Sequence, residues 1–208
     1  MLLDAEESQL VLVDYQAKLL PAIHEADFVL ANAVRLAKIA QLLQVPLWAT
    51  EENPQGLGGT ADALQPLVAG RVVSKMAFDG SSVLLPRLKP AARPAQGGNA
   101  RSLPKHLQKA APAPAAERET LVLAGCEAHV CLLQTALGLL EEEMEVWVVT
   151  DACGSRSERN RDAAFDRLAG AGAELVTTEM VAFEWLRDAG HPRFGEVLAL
   201  VKSSAPAA

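Results

Sequence analysis

Thr120 to Leu140 reads TLVLAGCEAHVCLLQTALGLL: a short apolar run, a turn holding Gly125, Cys126 and Glu127, then apolar residues at Leu132, Leu133, Ala136, Leu139 and Leu140. The run TLVLA is too brief for a helix and reads as a buried strand, while the later residues keep the spacing of one helical face. The same pattern recurs outward from this stretch. Gln9 to Val13 (QLVLV) is a strand ending at Asp14, and His24 to Leu43 carries apolar residues at helical spacing. Val45 to Ala49 (VPLWA) reads as a second strand, followed by TEENPQGLGG, a loop by its Asn, Pro and Gly content. Arg71 to Ser74 (RVVS) is a third strand delivering Lys75. Beyond the quoted stretch, Glu145 to Val149 (EVWVV) is a strand, Glu158 to Ala171 a helix, and Glu174 to Val176 a last short strand. Apolar strands alternating with amphipathic helices predict one α/β domain over residues 1–208, with a doubly wound, mostly parallel sheet and helices on both faces.

Pro86 to Ala116 departs from this pattern. Its Pro, Ala, Gly and Lys content carries no sustained apolar period beyond a short helix near Leu103 to Ala110, so it is expected to be a mobile insertion or an oligomer contact. The formal net charge of -7 opposes a phosphate backbone, and the 19 basic residues are scattered, so no nucleic-acid partner is expected. The opening MLLDAEESQL has no basic leader, and no apolar run reaches the length of a membrane span; the chain reads as cytoplasmic, without a membrane partner. Three cysteines give no disulfide framework and suit a reducing compartment. Apolar residues in the helices and in the run MVAFEWL exceed what one sheet needs, predicting a homo-oligomer.

In a doubly wound sheet the ligand site lies outside the carboxyl ends of the strands. Three reactive side chains fall there: Asp14 closes the first strand, Lys75 the third, and Cys131 starts the helix after TLVLA. A thiol at a helix N-terminus near an ammonium is expected to have a lowered pKa and to be a usable nucleophile. Attack on a carbonyl also needs a carboxylate for the proton and backbone N–H groups for the oxyanion, which Asp14 and the turn before Cys131 supply. Glu52, Asn53 and Phe78 follow the second and third strands and are candidate pocket residues, together with Gln16. Cys126, Cys153 and His129 read as packing residues. The GLGG at Gly56 to Gly59 lacks the spacing of a phosphate loop.

Taken together, LVDYQAKLLPAI, SKMAFDG, LAGCEAHVCLLQTALGLL and VVTDACGSRS resemble, in this order, the motifs of isochorismatase-like cysteine hydrolases. The similarity is nearer to the isochorismatase-domain branch than to the nicotinamidases. The resemblance implies that Cys131 is the nucleophile, Asp14 its general base and Lys75 the support of the charged pair. It also implies a cis peptide between Cys126 and Glu127, with the N–H groups of Glu127 and Cys131 forming an oxyanion hole. Family members that bind a metal use histidines in loops after the second strand, whereas TEENPQGLGGT has none, so neither metal nor cofactor is expected. Isochorismate-cleaving members lack the cysteine, and Cys131 therefore implies hydrolysis of a small amide or related acyl compound through an acyl-thioenzyme. The alternatives are a non-catalytic binding protein on the same fold and a dinucleotide-dependent oxidoreductase. The missing glycine fingerprint speaks against the oxidoreductase.

Overall fold

Six strands form one sheet in the order β3-β2-β1-β4-β5-β6, every neighbouring pair parallel. They are β1 (Ser8–Val13), β2 (Leu47–Glu52), β3 (Val72–Lys75), β4 (Thr120–Gly125), β5 (Glu145–Val149) and β6 (Glu174–Val176). The computed structural model describes residues 2–89 and 118–203. All six residues of β1 and all six of β4 are buried, as strands covered on both faces must be.

Eight helices flank the sheet among the described residues: α1 (Ala26–Leu42), α2 (Pro54–Leu57), α3 (Gln65–Val68), α4 (Ser81–Leu88), α5 (Leu133–Glu141), α6 (Glu158–Gly170), α7 (Thr178–Leu186) and α8 (Phe194–Lys202). Helices α1, α3, α7 and α8 pack together in one group, and α4, α5 and α6 in another. The strand order reverses between β1 and β4, because the chain runs outward through β2 and β3 and then returns to the centre. In sheets of this kind such a reversal marks the ligand site, outside the carboxyl ends of the two central strands.

Register decides what meets there. Val13 is level with both Thr50 and Gly125, and Glu52 is level with Lys75. Gly125 has a steric reason to be glycine: a Cβ there would lie 2.6 Å from both the Cβ and the carbonyl oxygen of Val13. With no side chain at the end of β4, the chain passes close against β1 and the Cys126 N–H bonds Val13 O at 2.9 Å.

The single α/β domain and its parallel sheet match the sequence reading, with several corrections of extent. Thr50, Glu51 and Glu52, expected in a loop, prolong β2, because pairing with β3 gives them backbone partners that local composition does not reveal. The loop beyond contains the short α2, with Pro54 in its first turn and the Asn53 side chain accepting from the Gly56 N–H. Lys75 is the last residue of β3 itself. The helix expected from Val130 starts instead with a π-type turn, Ala128–Leu132, which runs into α5. Pro86 falls inside α4 rather than opening an insertion; residues 90–116, with the short helix expected in them, lie outside the described residues.

Candidate active site

Asp14 follows β1 with φ 54°, in the left-handed region, a conformation that Asp tolerates better than most residues. Its carboxylate is wholly buried, where an isolated charge would be costly. Two donors compensate. Lys75 Nζ lies 2.7 Å from Oδ2, and Thr50 Oγ1 donates to Oδ1 at 2.7 Å. Lys75 also donates to the carbonyls of Ala77 (3.2 Å) and Phe78 (3.1 Å), so all three ammonium protons are engaged and the side chain is fixed. Thr50 escaped the sequence reading, although its register opposite Val13 places it beside Asp14.

Cys131 is buried in the π-type turn after β4, where the charges of Asp14 and Lys75 both act on its thiol. Asp14, Lys75 and Cys131 are thus one cluster. The turn is held from outside: the Ala128 N–H bonds Gly154 O at 2.7 Å, Gly154 N–H bonds Gly125 O at 3.2 Å, and Arg156 pairs with Glu127 at 2.6 Å. The Cys126–Glu127 peptide is cis. The Glu127 carbonyl takes the N–H of Val130 and of Leu132 but not that of Cys131, the irregularity that distinguishes a π-type turn. Among the described residues the Glu127 N–H has no backbone or side-chain partner.

The electrostatics correct one expectation. Instead of being lowered, the Cys131 pKa is pushed up to about 12. Burial contributes most, the Asp14 charge and its hydrogen bond raise it further, and the opposing pull of Lys75 is outweighed; Glu52 adds to the rise. A value so high keeps the sulfur a thiol at neutral pH, so any attack by it would need a base to take the proton. Replacing Asp14 by Asn is expected to separate two observables. With the carboxylate gone and Lys75 retained, the thiol titrates below about 12 and alkylation at pH 8 accelerates. Turnover still falls, by about 10²-fold or more, for want of a base. Alkylation and turnover falling together would contradict this account of the pair.

The remaining candidates divide. Gln16 is wholly buried and its amide is bound to backbone: Nε2 donates to Glu52 O (2.9 Å) and Gly58 O (2.6 Å), and Oε1 accepts the Glu52 N–H (2.9 Å). Glu52 and Asn53 are partly exposed at the end of β2, and Phe78 turns its carbonyl to Lys75 while its side chain is half exposed. His129 lies between Ser155 Oγ (3.0 Å from Nδ1) and Asn160 Nδ2 (3.3 Å from Nε2), and Cys126 and Cys153 are buried thiols whose pKa values burial raises. Among the described residues no group of three His, Cys, Asp or Glu side chains is arranged to hold a metal ion, and no helix is long and apolar enough to cross a membrane.

The sequence model of the isochorismatase domain matches residues 8–180. Isochorismatase domain-containing protein 2A of Mus musculus is 35% identical over 201 residues, which cover 97% of this chain and 85% of the mouse protein. A Caenorhabditis elegans structure described as MAR1 ribonuclease superposes with a TM-score of 0.82 at 30% identity, over 100% of this chain and 95% of that one. The YcaC gene product of Escherichia coli, an octameric hydrolase of unknown specificity, superposes with a TM-score of 0.79 at 26% identity, over 99% of this chain and 91% of its own.

Proposed function

We infer that this chain, which belongs to the isochorismatase domain family, is a cysteine-dependent hydrolase of a small amide or related acyl compound. The observation that carries the reading is the buried Asp14–Lys75 pair, 2.7 Å apart, whose charges act on the buried Cys131 thiol. A binding protein would gain nothing from keeping a charged pair out of water, since such a pair seldom adds stability over apolar packing. Beside a nucleophilic sulfur the pair has a use.

In the reaction we propose, Cys131 Sγ attacks the substrate carbonyl carbon as its proton passes to Asp14. The oxyanion is held by the N–H groups of Glu127 and Cys131. Collapse expels the amine, which takes the proton from Asp14 and leaves an acyl group on sulfur. Asp14 next takes a proton from water, the hydroxide oxygen adds to the thioester carbonyl, and the acid leaves as sulfur regains the proton. Lys75, saturated with acceptors, keeps Asp14 in place and gives up no proton. Gln16 fixes the loop after β2, and Glu52, Asn53 and Phe78 border the substrate.

A hydrolysis screen over small amides, carbamoyl compounds and hydroxamates tests the reading. It is expected to find a substrate that the wild-type chain turns over and Cys131→Ala does not; turnover retained by that variant would reject the mechanism. The C. elegans neighbour's description as a ribonuclease is not carried over, because the net charge of -7 opposes a polyanionic substrate.

Self-association and a cytoplasmic setting belong to the same proposal. Met180 and Phe183 of α7 stand 45% and 40% exposed beside Leu2 at 59%, whereas Val181, Ala182, Trp185 and Leu186 of that run are core. Only part of MVAFEWL is free to meet another copy. Light scattering at micromolar concentration is expected to report an oligomer, and a monomer would refute it.

A further inference from the structure

Glu52, at the carboxyl edge of the sheet, has a fixed backbone and a carboxylate that is not fixed. It ends β2 level with Lys75. The buried Gln16 holds both its N–H and its carbonyl at 2.9 Å, and the next residue, Asn53, donates its N–H to Lys75 O at 2.8 Å. Yet among the described residues the Glu52 carboxylate makes no hydrogen bond or ion pair. Its neighbours differ: Glu51 accepts from the Thr60 N–H (2.6 Å) and Oγ1 (2.7 Å), and Glu127 pairs with Arg156.

The charges at the site leave Glu52 uncompensated. Asp14 and Lys75 cancel as a contact pair, and Cys131 rests as a neutral thiol. Burial raises the Glu52 pKa, Lys75 opposes that rise and Asp14 adds to it, and Glu52 in turn raises Cys131. Register puts Glu52 beside Lys75, whose ammonium contacts Asp14, and these mutual effects agree with that placement. A ligand group completing this arrangement is an N–H donor; a carboxylate would meet a like charge.

We propose that Glu52 receives an N–H group borne by the substrate, so that the chain selects compounds presenting an amide, ureido or amidine nitrogen at that position over those presenting a carboxylate. The inference rests on Cys131 being the nucleophile and names the substrate chemistry of that same site.

Iodoacetamide and iodoacetate form a matched pair of probes, alike except that the second is an anion. The full chain is treated with each, modification of Cys131 is followed by peptide mass spectrometry, and both rates are normalised to 2-mercaptoethanol. The wild-type rate is expected to favour the neutral amide by about tenfold or more, the scale of one charge acting over a few ångströms in a partly screened site. Glu52→Gln, of the same shape, is expected to reduce that preference about fivefold or more, while Glu52→Asp keeps most of it. An unchanged preference in Glu52→Gln would overturn the role of Glu52 and leave the nucleophile standing. Failure of Cys131 to react with either reagent would instead overturn the nucleophile, and the Glu52 assignment with it.

Discussion

Cys131→Ala is expected to lower turnover of any amide substrate by about 10⁴- to 10⁶-fold, the range in which removal of a catalytic nucleophile falls when its partners remain. Fold and stability should change little by comparison. Cys131 is a small buried thiol whose truncation removes a single sulfur atom. Because nucleophile and base act as a unit, Cys131→Ala combined with Asp14→Asn should be hardly worse than Cys131→Ala alone. Steady-state kinetics on the three variants measure this. Losses that multiply would mean that the two residues work in separate steps.

Lys75→Met is expected to produce the largest loss of stability of any single change at the site, about 3 to 5 kcal/mol, read as a lower urea midpoint with an unchanged slope. The side chains of Lys75 and Asp14 are 1% and 0% exposed, so removing the ammonium leaves a carboxylate away from water with the Thr50 hydroxyl as its remaining donor among the described residues. The cost belongs to that stranded charge and not to the loss of a favourable pair. Adding Asp14→Asn should therefore recover much of the stability while leaving activity absent, because the amide needs no counter-charge. If Lys75→Met alone is as stable as wild type, the pair is more hydrated than the structure describes.

The sheet and the three reactive residues were legible for one physical reason. Strands covered on both faces read as unbroken apolar runs, and the residue closing each run must lie at the carboxyl edge, so QLVLV and TLVLA located Asp14 and the turn before Cys131 directly. Helices α4 and α7 were not read. Pro86 inside SSVLLPRL imitates a break, and TEMVAFEWL divides its apolar residues between core and surface, which blurs its period. The prolongation of β2 to Glu52 is also invisible locally, because it depends on pairing with β3 across the sheet.

Within the site, residue identity was readable and energetics were not. The sequence places a cation and a helix start beside Cys131, both of which favour a thiolate. It does not show that burial and the Asp14 contact outweigh them and keep the proton on sulfur. Gln16 illustrates the same limit. It was a candidate pocket residue, whereas its amide is bound to the backbone at Glu52 and Gly58, a role set by a loop whose path composition does not encode.

In the proposed reaction an acyl group passes through Cys131. Once the screen has supplied a substrate, acid quenching during turnover followed by intact-mass and peptide mass spectrometry tests it most directly. A transient mass increase equal to the acyl fragment is expected, located on the peptide containing Cys131 and absent from Cys131→Ala. Steady turnover with no adduct, together with activity retained in Cys131→Ala, would contradict it.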